Sequence, residues 1–191
     1  MYDFNYHRPK SLAEAQAALK GKPEARPMSG GMTLIPTLKQ RLARPSDVVD
    51  LGGIKELAGI KVEGNNVVVG GMTRHYDVAT SADVKKAIPA LAALAEGIGD
   101  PQVRNRGTIG GSVANNDPAA DYPAACLALG ATISTNKRKL TSGLQAQSDR
   151  LKTFYCATPE QVSQTYLATC MFLLSKRVIW QRLMHLPIGK A

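Results

Sequence analysis

Two stretches of the chain combine a glycine pair with hydroxyl neighbours, Ser29-Gly30-Gly31-Met32-Thr33 and Thr108-Ile109-Gly110-Gly111-Ser112. Such a turn suits a phosphate. Glycine lets the main chain approach without a Cβ and adopt the positive φ that turns successive amides inward, and the hydroxyls add donors. Each stretch alone reads at least as well as an ordinary tight turn. Together they read as two halves of one diphosphate cradle. No side chain stands out as a catalytic acid, base or nucleophile. His75, with no Cys or second His nearby, reads as a packing or surface residue. Cys126, Cys156 and Cys170 fit neither zinc nor iron–sulfur spacing, so they read as free thiols and no metal site is expected.

The elements around the first pair follow from local rules. Ser11-Leu12-Ala13-Glu14 is a capping box opening a helix on Leu12, Ala15 and Leu19, and Gly21 stops it. An extended run over Ala25 to Met28 enters the glycine turn, and a helix follows from Thr33 with Pro36 in its first turn. The unit is therefore strand, glycine turn, helix, which gathers unpaired amides at one point. Asp47 to Leu51 reads as a further strand.

Around the second pair the pattern changes. Ile60 to Val62 and Val67 to Val69 flank a Gly/Asn turn and predict a β-hairpin. Thr73 is placed to cap a helix through Asp77 and Val78. Ile88, Leu91, Ala92, Ala95 and Ile98 predict an amphipathic helix, which Gly97, Gly99 and the Asp100-Pro101 turn bring to an end. Val103 then leads through Arg104-Asn105-Arg106 to the glycines. The two arginines suit a loop or subunit contact somewhat better than a phosphate contact.

At 191 residues, 44% of them apolar, the chain is long enough for one sizeable core or two small lobes. The formal charge of +9 raises the question of nucleic acid. Six basic and two acidic residues follow Leu140, so about half the excess lies there. The remaining cations are scattered apart from Lys137-Arg138-Lys139, and no nucleic-acid-reading motif accompanies them, so a solvated surface is the better reading. The start has no secretory pattern and no run is long enough to span a membrane, which points to a cytoplasmic protein.

Four ordered stretches carry a more specific signal: Tyr6 to Ser11, Ser29 to Pro36, Asp100 to Ser112, and Asn115 to Ala125. In order and spacing the chain resembles the FAD-binding, or medium, subunit of the molybdenum hydroxylases, the carbon monoxide dehydrogenase and xanthine dehydrogenase family. The resemblance implies an α+β fold of PCMH type with two lobes, a small N-terminal α/β lobe and a larger mixed-sheet lobe, and FAD in the cleft between them. It assigns cofactor binding to Ser29, Gly30, Gly31, Met32, Thr33, Thr108, Ile109, Gly110, Gly111, Ser112 and Asp121, and neither catalytic nor metal-binding residues to this chain. Relatives often carry His at the position of Met32. Asp121 has a second local reading as the N-cap of the helix Tyr122 to Leu129. Asp117 reads mainly as a turn former, and Asn115 and Asn116 as turn or flavin contacts. The implied partners are a large subunit carrying the molybdenum cofactor and a small subunit carrying [2Fe–2S] clusters, from which FAD passes electrons to an external acceptor.

The resemblance divides the chain into a small FAD-binding lobe over 1–54, a second lobe over 55–140, and a divergent or frameshifted tail over 141–191. Relatives continue beyond Leu140 with further flavin-contacting strands. Here the composition changes instead, although Val162 to Leu174 is apolar enough for a helix. Two alternative functions follow: a truncated, non-catalytic fragment with weak or no FAD binding, and another enzyme built on the same FAD domain.

Overall fold

The computed structural model describes residues 1–117, 119–135, 139–141 and 171–175. The N-terminal part is a three-stranded parallel sheet, in which β3 (Asp47–Asp50) lies between β1 (Asn5–His7) and β2 (Arg26–Met28). Helix α1 (Leu12–Leu19) starts as expected. Ser11 Oγ accepts from the Glu14 amide at 3.2 Å, while the Glu14 carboxylate takes the amide of Lys10 at 2.8 Å. A small core of Ala15, Val49, Leu51, Ile54 and Leu57 packs between this sheet and α1, with Met72 against it. Leu57 and Met72 come from beyond residue 54, so the two lobes share this core.

One buried charge pins the parallel sheet. The Asp47 carboxylate, 3% exposed, accepts from Lys22 Nζ at 2.7 Å and Ser46 Oγ at 2.8 Å, and lies 2.7 Å from His7 Nε2. Lys22 first, then His7 and Ser46, hold its pKa well below the usual carboxylate range. Tyr6 adds a 2.5 Å hydrogen bond to Asp50. The Tyr6 to Pro9 stretch thus seats the N-terminal strand.

The second part is built on a five-stranded sheet with spatial order β4-β5-β8-β6-β7, antiparallel throughout. Its strands are β4 (Ile60–Glu63), β5 (Asn66–Gly70), β6 (Thr132–Ser134), β7 (Lys139–Thr141) and β8 (Met171–Ser175). The expected hairpin is β4–β5. Between β5 and β6 run six helices: α3 (His75–Thr80), α4 (Ala82–Ala87), α5 (Pro89–Gly97), α6 (Pro101–Arg106), α7 (Ile109–Asn115) and α8 (Asp121–Ala128). They bury the main core against the sheet, centred on Val67, Val69, Ile88, Ile109, Tyr122 and Ile133. Cys126 is buried there; Cys156 and Cys170 lie outside the described residues.

Several expectations change. Thr73 does not cap α3: its hydroxyl donates to Gly59 O at 3.0 Å and accepts from Gly59 N at 2.9 Å, and Arg74 holds the N-cap position. Asp100 opens a helix rather than only a turn, accepting from the Val103 amide at 2.8 Å with Pro101 at the first helical position. Of the helix expected over Val162 to Leu174, residues 162–170 lie outside the described set and Met171 to Leu174 are strand. A short apolar run suits either state, and here sheet neighbours on both sides supply the backbone partners.

Candidate functional site

A cleft of about 500 Å³ runs between the two lobes. One wall is the β2–α2 connection with the start of α2 (Leu34–Lys39); the other is formed by Gly71-Met72, His75, the end of α6, and α7 with the segment after it. Of the eleven residues expected at the cofactor, nine line this cleft: Ser29, Gly30, Gly31, Met32, Thr33, Thr108, Gly110, Gly111 and Ser112.

The two glycine pairs reach the cleft in different ways. After β2 the chain makes a true turn, with Gly31 at φ +75, a conformation that glycine adopts without strain. The amides of Gly30, Gly31, Met32 and Thr33 donate to no protein group among the described residues. Thr33 makes no side-chain cap either. Four donors and a hydroxyl are therefore left at the wall of a cleft, the situation an anion relieves.

The second pair is not a turn. Thr108 N-caps α7 by accepting from the Gly111 amide at 3.1 Å, and Gly110 and Gly111 lie in the first helical turn. Their amides are already engaged, as are those of their neighbours. Ile109 N donates to Thr73 O at 3.0 Å, Gly110 N to Gly71 O at 2.9 Å and Ser112 N to Thr108 O at 3.0 Å. The expectation of a second amide cradle is thus corrected. Ile109 in particular turns its side chain into the main core, 1% exposed, and does not line the cleft.

These glycines are instead required by close approach. A Cβ on Gly110 would meet Gly71 O at 2.6 Å, one on Gly111 would strike Ser29 Oγ, and one on Gly30 would strike the carbonyl of Arg106. The glycine segments bring the two walls into contact, and Thr108 Oγ1 donates to Ser29 Oγ across them at 3.2 Å. A third glycine pair, missed in the sequence, joins them: Gly70-Gly71-Met72-Thr73 repeats Gly30-Gly31-Met32-Thr33 letter for letter. That repetition was the available signal.

His75, given no role from sequence, is 5% exposed and lines the cleft. Its backbone amide holds Gly107 O at 3.0 Å, and its ring lies 5.2 Å from that of Tyr122. Neither His75 Nδ1 nor the buried Tyr122 hydroxyl has a hydrogen-bond partner among the described residues. Burial pushes the imidazole pKa down to about 4, against a smaller opposing pull from Asp121, so the ring is neutral near pH 7. Burial likewise raises the Tyr122 phenol.

Asp121 is exposed at the first position of α8 and does not itself line the cleft, whereas Ala120 before it does. Ala120 occupies the N-cap position, so the local reading of Asp121 as the cap does not hold. Its carboxylate accepts no hydrogen bond among the described residues. Arg104 serves the loop, donating to Ile98 O at 3.2 Å and Gly99 O at 2.9 Å, and Arg106 lies outside the cleft lining. Among the described residues no three His, Cys, Asp or Glu gather as a metal site, and no helix is long and apolar enough to cross a membrane.

Comparison with known proteins identifies the family. Residues 2–164 match the family described as the FAD binding domain in molybdopterin dehydrogenase. The chain belongs to this family. FAD is the family's cofactor, and the match runs past Leu140, where sequence reading ends the resemblance. The chain is 43% identical over 131 residues to the glyceraldehyde dehydrogenase medium chain of Sulfolobus acidocaldarius, covering 69% of this chain and 47% of that one. Against the carbon monoxide dehydrogenase medium chain of Hydrogenophaga pseudoflava it is 46% identical over 128 residues, covering 66% and 44%. A solved carbon monoxide dehydrogenase from the latter organism superposes with a TM-score of 0.77 at 34% identity, over 91% of this chain and 59% of that one. The chain thus spans less than half the length of these two sequence relatives.

Proposed function

We propose that this chain binds FAD in the interlobe cleft and works as the electron-transfer component of a molybdenum hydroxylase, delivering electrons from iron–sulfur clusters to an external acceptor. The observation that carries the reading is the set of four unpartnered amides from Gly30 to Thr33 at the wall of the cleft. These donors suit the diphosphate. Met28, Met32, Met72, Ile98 and Val103 give the same cleft an apolar lining suited to a flat ring system.

Bound FAD supplies reversible two-electron chemistry. The residues of this chain bind and orient it and exclude water. Neutral His75 contributes a polar edge without adding charge. Asp121 is the proposed acceptor for ribose or ribityl hydroxyls, because its carboxylate is unengaged and it follows cleft-lining Ala120 directly. Partner subunits with the molybdenum cofactor and [2Fe–2S] clusters are part of the proposal, supported by relatives named as medium chains and subunits.

The test is a comparison of FAD and FMN by quenching of flavin fluorescence on the purified chain. FAD should bind more tightly, since only it carries the diphosphate that the Gly30 to Thr33 amides fit. Equal affinities would remove the assignment.

A further inference from the structure

Among the described residues that line the cleft, Arg26 is the only Lys or Arg. It lies on β2, two residues before cleft-lining Met28 and four before the first free amide at Gly30. It is half-buried, yet it has no carboxylate partner among the described residues, where the ion pairs are His7–Asp47, Arg8–Asp50 and Lys22–Asp47. One guanidinium nitrogen, Nη1, donates to Pro23 O at 3.0 Å and Ala25 O at 3.4 Å. Those carbonyls anchor one arm of the guanidinium, whereas Nε and Nη2 have no protein acceptor among the described residues.

We infer that Arg26 is the cation with which this cleft balances an anionic ligand. The inference rests on the FAD reading for the identity of that ligand, but not for its charge. An arginine partly withdrawn from water, with guanidinium nitrogens that find no protein acceptor among the described residues, gains most from an anion that replaces lost solvent. The cleft supplies such a place. The free amides of Gly30 to Thr33 are oriented donors without net charge, and a diphosphate bound to them alone would bring unbalanced negative charge between the lobes. The cleft also contains Asp117, which repels an anion and leaves Arg26 to offset it. Arg104 and Arg106 do not share this task, since neither lines the cleft.

The experiment measures equilibrium binding of FAD, ADP and riboflavin to the full chain and to its Arg26→Lys, Arg26→Gln and Arg26→Met variants. Each is measured in low salt and in about 1 M salt, where screening lengths fall from about 30 Å to about 3 Å. Arg26→Met and Arg26→Gln should weaken FAD and ADP roughly tenfold in low salt, the size expected for losing a charge-assisted contact. Arg26→Lys should retain part of that affinity, riboflavin should bind all four proteins alike, and high salt should narrow the gap. Unchanged FAD and ADP affinity in the Gln and Met variants would overturn the inference. So would an equal loss for riboflavin, which would mean that the side chain acts through packing. An absence of salt dependence in the unmodified chain would overturn it without any substitution. A chain that binds ADP through Arg26 but binds FAD no better would leave the inference standing and overturn the cofactor reading. A chain that binds neither would overturn both.

Discussion

Ser29 and Thr108, separated by 79 positions in the sequence, meet side chain to side chain at 3.2 Å across the interlobe cleft. Thr108 has two tasks at once, because the same oxygen accepts the Gly111 amide that opens α7. The cleft wall and the first turn of α7 are therefore held by one hydroxyl, 4% exposed. Local helix formation and the relative placement of the two lobes are coupled through it.

Replacing Thr108 with Val should destabilise the protein by about 2 kcal/mol, combining a lost N-cap with a lost interlobe hydrogen bond. Ser29→Ala removes only the latter and should cost about 1 kcal/mol. In a double-mutant cycle followed by urea unfolding, the second substitution should have little further effect once Thr108 is Val. Strict additivity would show that the two hydroxyls do not cooperate.

The glycines give a sharper contrast. Gly30→Ala places a methyl group against the Arg106 carbonyl, where backbone must move to make room, and should cost about 1–3 kcal/mol. Gly97→Ala, in α5 with nothing within 4 Å of the added carbon, should instead stabilise by about 0.5 kcal/mol. Thermal unfolding of the two variants should move in opposite directions. A neutral Gly30→Ala would mean that the lobes are not in the contact described.

Most elements of the small lobe were legible because each depends on local chemistry: Ser11 with Glu14 for α1, and a glycine turn that requires positive φ at Gly31. The hairpin β4–β5 was legible for the same reason. What escaped depends on distant partners. Thr73 carries the right hydroxyl for a cap, yet Gly59 takes it; Gly110 and Gly111 have turn-like composition, yet Gly71 and Ser29 determine why they must be glycine. His75 was unreadable because its burial comes from Gly107 and Tyr122, neither of which marks a histidine site in sequence.

Asp121 offers a direct check on the proposed ligand contacts. Its carboxylate neither caps α8 nor accepts a protein hydrogen bond among the described residues, so Asp121→Asn should leave unfolding within about 0.5 kcal/mol of the unmodified protein. FAD affinity should still fall, by roughly threefold to tenfold for one weakened hydrogen bond. Asp117→Asn, which keeps an acceptor for the Ala119 amide at 2.9 Å but removes a negative charge from the cleft lining, should raise FAD affinity instead. A stability loss without an affinity loss at Asp121 would make it a structural residue.

The buried imidazole of His75 makes stability depend on pH in a defined window. Its pKa is about 4 in the folded chain against 6.5 for an ordinary histidine, because burial disfavours the charged ring. The depressed value means that the unfolded chain binds more protons between these limits. Stability from this group is therefore full above about pH 6.5 and is lost as the pH falls toward 4. Between pH 7 and pH 5 the loss should be about 2 kcal/mol. Asp47 acts in the same direction further down: its depressed carboxyl contributes stability that is lost only below the ordinary carboxylate pKa. Urea unfolding at pH 7 and pH 5 separates the two, since Asp47 stays ionised in both states across that interval. His75→Gln should flatten the slope between these pH values even though it lowers stability at pH 7 through altered packing. A folded-state titration of the His75 ring near 6.5, followed by its proton resonances, would show that the imidazole is solvated rather than sealed against Tyr122.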